Sequence, residues 1–492
     1  MTVVRRTAMV LLVAAPAIYF GLDLGGPYLQ RSDSFHTLLR AQSLYTNGDW
    51  LALYSNHAPT FKKPPLQYLL TAVLLDAGVD DELAGRLPSF AFAVALVIVT
   101  GALAGRLAPA KPWATFAAMA LLVGSTTLWE NARFAFLDTG QSFFLVASFL
   151  CALLAQRDPR WWIGAGIAVG LGFLQKTPVA LVALGAWLVL CARLDPVGPV
   201  RWSRLRANAS FRWGAGIALV LCASWPAIQI FRFGADFFDE FFVTQMFDRF
   251  GPSVDIRAVS DSTALPWIDW IRRDSRWIWP AAMGLVPVVL VWRRFREAAS
   301  LRGIAWIIVA MLVSFSLAGG RLHSRYVLVL LPLVAALAAV ALAEILPRAG
   351  WAAILCLGLM ATSVPKWPKL RAEAYERDIS EPIVVSRSFA RLLEAGENPV
   401  FIRPRKAFFP SSAFVYYANL DRAALLVEAK NLGSWKVRAR RASLPPPYLG
   451  MSHRRDLDRI RRKIGNLEMV EVSESYAIWR AGADADDGLP GD

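Results

Sequence analysis

The chain reads as a mostly α-helical, polytopic membrane protein with about eleven transmembrane helices and a small C-terminal α/β domain. Three observations carry that reading. Of 492 residues, 56% are hydrophobic and only 18% charged, and the mean hydropathy is +0.41; a soluble body of this size needs more polar surface. Eleven apolar runs are long enough, or nearly so, to cross a bilayer; they fall at about residues 7–24, 87–105, 113–129, 139–155, 161–175, 177–192, 213–231, 277–292, 303–318, 326–347 and 351–364. From Lys366 onward the apolar runs shorten and charges rise.

The first run follows MTVVRR, and no small-x-small cleavage site precedes Asp23, so it is read as an uncleaved span. A long polar loop, Arg31 to Leu66, comes next. It holds Asp33, His36, a helix-like segment (Phe35 to Tyr45), a turn (Asn47, Gly48, Asp49) and Lys62-Lys63 before Pro64-Pro65. Loops of this kind vary cheaply and carry function. Pro65 to Val79, 15 residues, is short for a span, which takes ~20. Charge decides how to read it. With a cytoplasmic N-terminus and this segment lying along the membrane surface, the arginine-rich loops around residues 5–6, 106–111, 157–160, 193–212, 293–302 and 348 all face the cytoplasm. Making it a span would invert every later loop. It is therefore read as a juxtamembrane helix. Trp113, Trp161, Trp162, Trp213, Trp277 and Trp351 flank short runs as interface anchors. In the loop Arg232 to Arg276, FGADFFDEFFVTQMF reads as a second interfacial amphipathic helix.

Residues 1–365 thus form the membrane domain and 366–481 an α/β domain, with a disordered tail at 482–492. In the α/β domain, helix patterns at Pro382 to Ala395 and Arg454 to Ile464 alternate with strand patterns at Pro399 to Arg403, Ala424 to Glu428, Leu467 to Val472 and Tyr476 to Arg480. Eleven crossings from a cytoplasmic start place this domain outside, which is the periplasm if the cell is Gram-negative. The net charge of +15 does not indicate nucleic acid, because the arginines lie in short clusters between apolar runs. The four cysteines, Cys151, Cys191, Cys222 and Cys356, fall inside apolar runs and read as inert buried thiols.

The outer face then collects ionisable groups at the membrane edge: Asp33 and Lys63, Arg133 and Asp138, Lys176 in a tight turn before Thr177-Pro178, and Arg325. Taken singly, Asp33 and Asp138 read as well as helix caps, and Arg133 and Lys176 as cations reaching to the interface. Taken together they suit a phosphate-bearing substrate at the membrane surface. Cations hold phosphate oxygens, and carboxylates hold a divalent ion or act as base. His36, His323 and Tyr326 are candidate additions. There is no Gly-rich phosphate loop, nucleophile elbow or Cys/His metal spacing.

In order and spacing, these pieces resemble the lipid A aminoarabinose transferase family, polyprenyl-phosphate-dependent glycosyltransferases of the GT-C fold related to protein O-mannosyltransferases. The matching residues are Asp33; Gly48, Asp49 and Trp50; Phe61, Lys63, Pro64, Pro65 and Leu66; Arg86 to Ser89; Ala132 to Phe134 and Asp138; Lys176 to Pro178; and His323 to Pro332. The resemblance covers about residues 7–346. It implies transfer of a sugar from an undecaprenyl-type phosphate carrier to an acceptor at the periplasmic face, either lipid A/lipopolysaccharide or another envelope glycan or protein. Asp33 would be the general base or a carboxylate near a metal, with Asp138 beside it. Lys63, Arg133, Lys176 and Arg325 would hold or neutralise phosphate.

Two positions depart from the family pattern. Ser34 follows Asp33 where relatives carry a second acid, and Lys62 stands where they carry Glu. Both remove negative charge. A divalent cation (Mg, Mn or Zn) is therefore expected to be weakly held and to come with the donor phosphate, with Lys62 supplying charge in its place. The rival readings are a polyprenyl-phosphate phosphotransferase, which needs the same cations, and a transporter, which would carry mid-span charges and inverted repeats that this sequence lacks.

Overall fold

The computed structural model of the chain describes residues 14, 16–22, 24–26, 32–195, 200–247, 278–291, 298–318, 324–346, 380–403, 409–420, 423–428, 446–464 and 466–481. The expected run 351–364, His323, the far part of the loop after Phe247 and the tail after Ala481 lie outside them.

In chain order, helix α1 (Ser32–Thr46) precedes a short hairpin, β1 (Tyr54–Ser55) and β2 (Ala58–Pro59). Then come α2 (Leu66–Asp76), α3 (Asp81–Leu107), α4 (Trp113–Val123), α5 (Thr126–Arg133), α6 (Asp138–Leu154), α7 (Trp161–Gln175), α8 (Val179–Leu194) and α9 (Ala209–Phe233). A π-helical segment, Phe238–Phe247, precedes α10 (Ile278–Val291), α11 (Ala299–Ala318), a 3-10 turn at Ser324–Val329 and α12 (Leu331–Ile345). The C-terminal part holds α13 (Ser380–Leu392), β3 (Asn398–Arg403), α14 (Ser411–Ala418), β4 (Leu425–Glu428), β5 (Tyr448–His453), α15 (Leu457–Ile464), β6 (Glu468–Val472) and β7 (Tyr476–Ala481).

By length and composition, α3, α9 and α11 can each cross a membrane, and α5 with α6 makes a fourth candidate bent by 115°. The other apolar helices α2, α4, α7, α8 and α12 have 10–17 residues. The expected span 113–129 is divided. Gly124 closes α4 and Ser125 caps α5, its hydroxyl accepting the Leu128 N–H at 3.2 Å. A serine in extended conformation satisfies an otherwise open helix N-terminus and restarts the chain in a new direction.

The chain forms two compact units. The first comprises Met1–Leu24, Phe61–Leu74 and Leu83–Trp367; the second comprises Gly25–Thr60, Leu75–Glu82 and Pro368–Asp492. In the first unit α7 packs against α6 and α9, α4 and α10 against α12, and α8 against α11. The α7–α9 crossing is backbone to backbone: a Cβ on Gly214 would stand 2.2 Å from the Trp162 carbonyl oxygen. Nearly every residue of α12 is buried, so it is the central post of this unit. By contrast α9 exposes Trp213, Leu219, Val220 and Phe231, an apolar face suited to lipid.

The second unit is built on a five-stranded sheet in the order β4-β3-β5-β7-β6. The pairs β4–β3 and β3–β5 are parallel, and β5–β7 and β7–β6 antiparallel. Period-two alternation sends Val400 and Ile402 to a core with Ile460 and Ile464 of α15, while Phe401 stacks on Phe414 of α14 at 4.7 Å. The strand and helix patterns expected after residue 380 are all present. Missing from the sequence reading are α14 and the central strand β5. Gly450 weakens the strand signal of β5, yet the ring of Trp479 lies where a Cβ at that position would be, 2.1 Å away. The hairpin β1–β2 joins this unit through Asn56, whose side chain donates to the Ala424 carbonyl at 3.0 Å and accepts its N–H at 2.8 Å.

Candidate functional site

Asp138 and Lys176 of the first unit meet where α7 ends and α6 begins. Pro178 stops α7 from continuing, so Gln175, Lys176 and Thr177 turn the chain back into α8. The Lys176 ammonium lies 2.5 Å from Oδ1 of Asp138, and each side chain is only 11% exposed. The same ammonium sits over the ring of Tyr326, 4.2 Å from its centroid. Asp138 occupies the first turn of α6, where the open N–H groups and the helix dipole favour a carboxylate. Three expected residues from three separate stretches, Asp138, Lys176 and Tyr326, are thus brought together. The cation is preorganised, nearly dry and held by one carboxylate oxygen and one aromatic face. An entering phosphate oxygen offers the same charge-assisted hydrogen bond and competes for it directly.

Lys62 and Lys63 precede α2, the first exposed and the second half-buried. Their segment is pinned by Phe61, whose N–H donates to Oε2 of Glu240 at 2.7 Å. The Phe61 ring packs on Phe233 and Phe237 in a cluster with Phe173, Trp225 and Phe241. The expected second amphipathic segment is helical, and it is what supplies this anchor. Glu240 escaped the sequence reading; its signal is an acid beside Asp239 within a phenylalanine-rich stretch.

Arg133, expected to hold phosphate, makes its described contacts within the protein. Arg133 is 2% exposed. Its guanidinium donates to the carbonyls of Phe20 and Leu22 and lies 4.8 Å over the Trp129 ring. Arg86, 1% exposed, donates to the Leu24 carbonyl at 2.9 Å. Both arginines satisfy backbone carbonyls between residues 20 and 24, ahead of α1, which is a structural use of a guanidinium.

Asp33 and His36 lie on α1, in the second unit, each half-buried. Asp33 sits in the first turn of α1 rather than at a cap, and its carbonyl accepts the Thr37 hydroxyl at 3.1 Å. The apolar face of α1 sets its rotation: Phe35 packs edge-on to Tyr417 of α14 at 5.7 Å. Arg325 belongs to the 3-10 turn before α12, and its side chain is outside the described residues, as is all of His323. Among the described residues no group of three or more His, Cys, Asp or Glu converges as a metal cage. Cys151, Cys191 and Cys222 are free thiols.

Residues 62–226 match the family model described as dolichyl-phosphate-mannose-protein mannosyltransferase. The chain is 26% identical over 343 residues to undecaprenyl phosphate-alpha-4-amino-4-deoxy-L-arabinose arabinosyl transferase 2 of Pseudomonas fluorescens strain Pf-5, covering 67% of this chain and 55% of that protein. It is 26% identical over 341 residues to transferase 1 of the same name from strain Pf0-1, covering 67% and 57%. The match thus spans a little over half the length of these curated relatives. The fold is similar to that of crystallised ArnT from Cupriavidus metallidurans bound to undecaprenyl phosphate, with TM-score 0.70, 15% identity, and 97% of this chain and 99% of that one covered. The apo form of that protein gives 0.69, 16%, 98% and 99%. The resemblance carried by the motifs is borne out, and the chain has the mostly helical GT-C fold of those structures.

Proposed function

We propose that this chain is an integral inner-membrane glycosyltransferase. It moves a sugar from a polyprenyl-phosphate carrier to an acceptor at the periplasmic face, the acceptor being lipid A/lipopolysaccharide or another envelope glycan or protein. The observation that carries the reading is the Lys176 ammonium held at the end of two apolar helices by Asp138 and Tyr326. An ionisable pair at the ends of apolar helices is a candidate site for a charged ligand.

In the proposed reaction the bond between the anomeric carbon and the phosphate oxygen breaks, and an acceptor oxygen takes the carbon. The acceptor's proton passes to Asp33 as general base, and the lipid phosphate leaves. Lys176, Lys63, Lys62 and Arg325 offset the charge that appears on it, so the work is mainly electrostatic. The relatives are named for a pentose and the family model for mannose, a hexose; the mass added to the acceptor reads out which class is used.

A divalent cation fits this site only weakly, since one oxygen of Asp138 is engaged by Lys176. Such an ion would be shared with the donor phosphate, with Asp138 as a protein ligand. When bound, it would add positive charge beside the leaving phosphate.

The test is transfer from a purified undecaprenyl-phosphate sugar by the protein in nanodiscs. Lys176→Met is expected to lower turnover about 10²-fold or more, as loss of a preorganised charge donor does. Asp33→Asn and Lys63→Ala are each expected to abolish it in folded protein. Full activity in all three variants removes the site. An acceptor that gains phosphate instead of sugar establishes the phosphotransferase reading.

A further inference from the structure

We propose that Gln175, Gln67 and Ser89 are positioning residues that hold Asp138 against Lys176. The inference rests on the lipid-phosphate reading of that pair and deepens it.

The three side chains form a directed chain of hydrogen bonds whose polarity is fixed at both ends. Nε2 of Gln175 donates to the Leu137 carbonyl at 3.2 Å and to Oε1 of Gln67 at 2.8 Å. Nε2 of Gln67 donates to the Ser89 hydroxyl at 3.0 Å, and that hydroxyl donates to the Phe136 carbonyl at 2.8 Å. A backbone carbonyl only accepts. Once the chain ends on two carbonyls, each amide has one permitted orientation. Those carbonyls belong to the two residues immediately before Asp138, in the bend between α5 and α6. Gln67, Ser89 and Gln175 are all fully buried, so none of these bonds competes with water.

Two further observations point the same way. Oε1 of Gln175 is buried without a partner among the described residues. The fold thus tolerates the cost of an unmet acceptor to keep the nitrogen facing Leu137. A Cβ on Gly140 would meet Nε2 of Gln175 at 2.4 Å, so only glycine in the first turn of α6 admits this amide. A second tie runs alongside. Gln141 donates to the Thr177 carbonyl at 3.1 Å and accepts the Thr177 hydroxyl at 2.9 Å. The residues on both sides of Lys176 are therefore bonded to residues on both sides of Asp138.

The experiment reads the pair directly, without turnover. Full-length protein in nanodiscs is treated with an amine-acylating reagent across pH 7–10, and labelling of Lys176 and Lys62 is followed by peptide mass spectrometry. Gln175→Leu and Ser89→Ala are each expected to raise Lys176 labelling about fivefold, the shift that loss of one net hydrogen bond permits. Lys62 labelling should stay unchanged, and Ser89→Thr, which keeps the hydroxyl, should restore the wild-type rate. Unchanged Lys176 labelling in folded Ser89→Ala overturns the proposal, and so does an equal rise at Lys62, which signals general loosening. Should Gln175→Leu fail to fold, Ser89→Ala alone decides. Added undecaprenyl phosphate separates the two ideas. If it fails to protect Lys176 in the wild type, the lipid-phosphate reading falls, while the variant series still judges the positioning role.

Discussion

Lys176 and Asp138 are each stable only because the other is present. Both are about nine-tenths buried, and removing one partner strands the other's charge, which costs about 3–5 kcal/mol for a buried pair. Asp138→Asn is therefore expected to lower the thermal midpoint clearly, and the double variant Asp138→Asn/Lys176→Met to recover most of the loss. Additive single-variant effects would show that the pair does not interact. The sequence made both residues visible, since a tight turn between two apolar runs has no need of a lysine. It could not separate them from Arg133, because burial and direction are invisible in a motif. Arg133 is drawn to the carbonyls of Phe20 and Leu22 by helix-end valences more than a hundred residues away. Arg133→Met is accordingly expected to destabilise the protein while leaving binding of undecaprenyl phosphate by the folded fraction unchanged, as thermal melts and lipid titration will read.

Among the elements of the second unit, α15 carries a pH dependence of its own. Nδ1 of His453 accepts the Arg455 N–H at 3.3 Å just ahead of that helix, which requires an unprotonated nitrogen. Burial, with Arg455 adding to it, pushes the His453 pKa below its ordinary 6.5, although Asp456 and Glu381 pull the other way. Its contribution to stability is therefore present above pH 6.5 and lost as pH falls through the depressed value. Glu381 acts lower. Burial raises its pKa, but hydrogen bonds from Ser473, Ser475 and Tyr476 outweigh this and hold it below 4.5. Its contribution is present above pH 4.5 and lost below. Acid unfolding followed by tryptophan fluorescence should show both steps, with His453→Asn flattening the upper one and Glu381→Gln the lower. In the first unit, Gly214→Ala drives a methyl into the Trp162 carbonyl and is expected to cost about 1–3 kcal/mol, the usual range for overpacking. Most elements were legible from periodicity. The strand β5 was not, because the prolines just before it and Gly450 within it look like a loop until Trp479 of β7 is laid against Gly450. Nor could the sequence join the first polar loop to the C-terminal sheet, since the Asn56–Ala424 bonds link positions 368 apart.

At the scale of the whole chain, orientation follows from which helix ends carry which charges. In α6, α7 and α8 one end holds Asp138, Lys176 and Thr177, and the opposite end holds Arg157, Arg160 and Arg193. The arginine end continues into Arg201, Arg204 and Arg206, all in short connections of the kind that stay in the cytoplasm. On the proposed function the reacting end faces the other side, and the eleven crossings expected from the sequence would leave the C-terminus outside as well. Reporter fusions decide this. An insertion at Ser203 is expected to behave as cytoplasmic and a fusion after Val364 as periplasmic, and a Thr177→Cys variant should react with a membrane-impermeant thiol reagent added from the periplasm. The reverse pattern would put Lys176 on the cytoplasmic side, away from the proposed donor. The electrostatic case for transfer would then fail, whatever the fold, because no phosphate would arrive for that ammonium to meet.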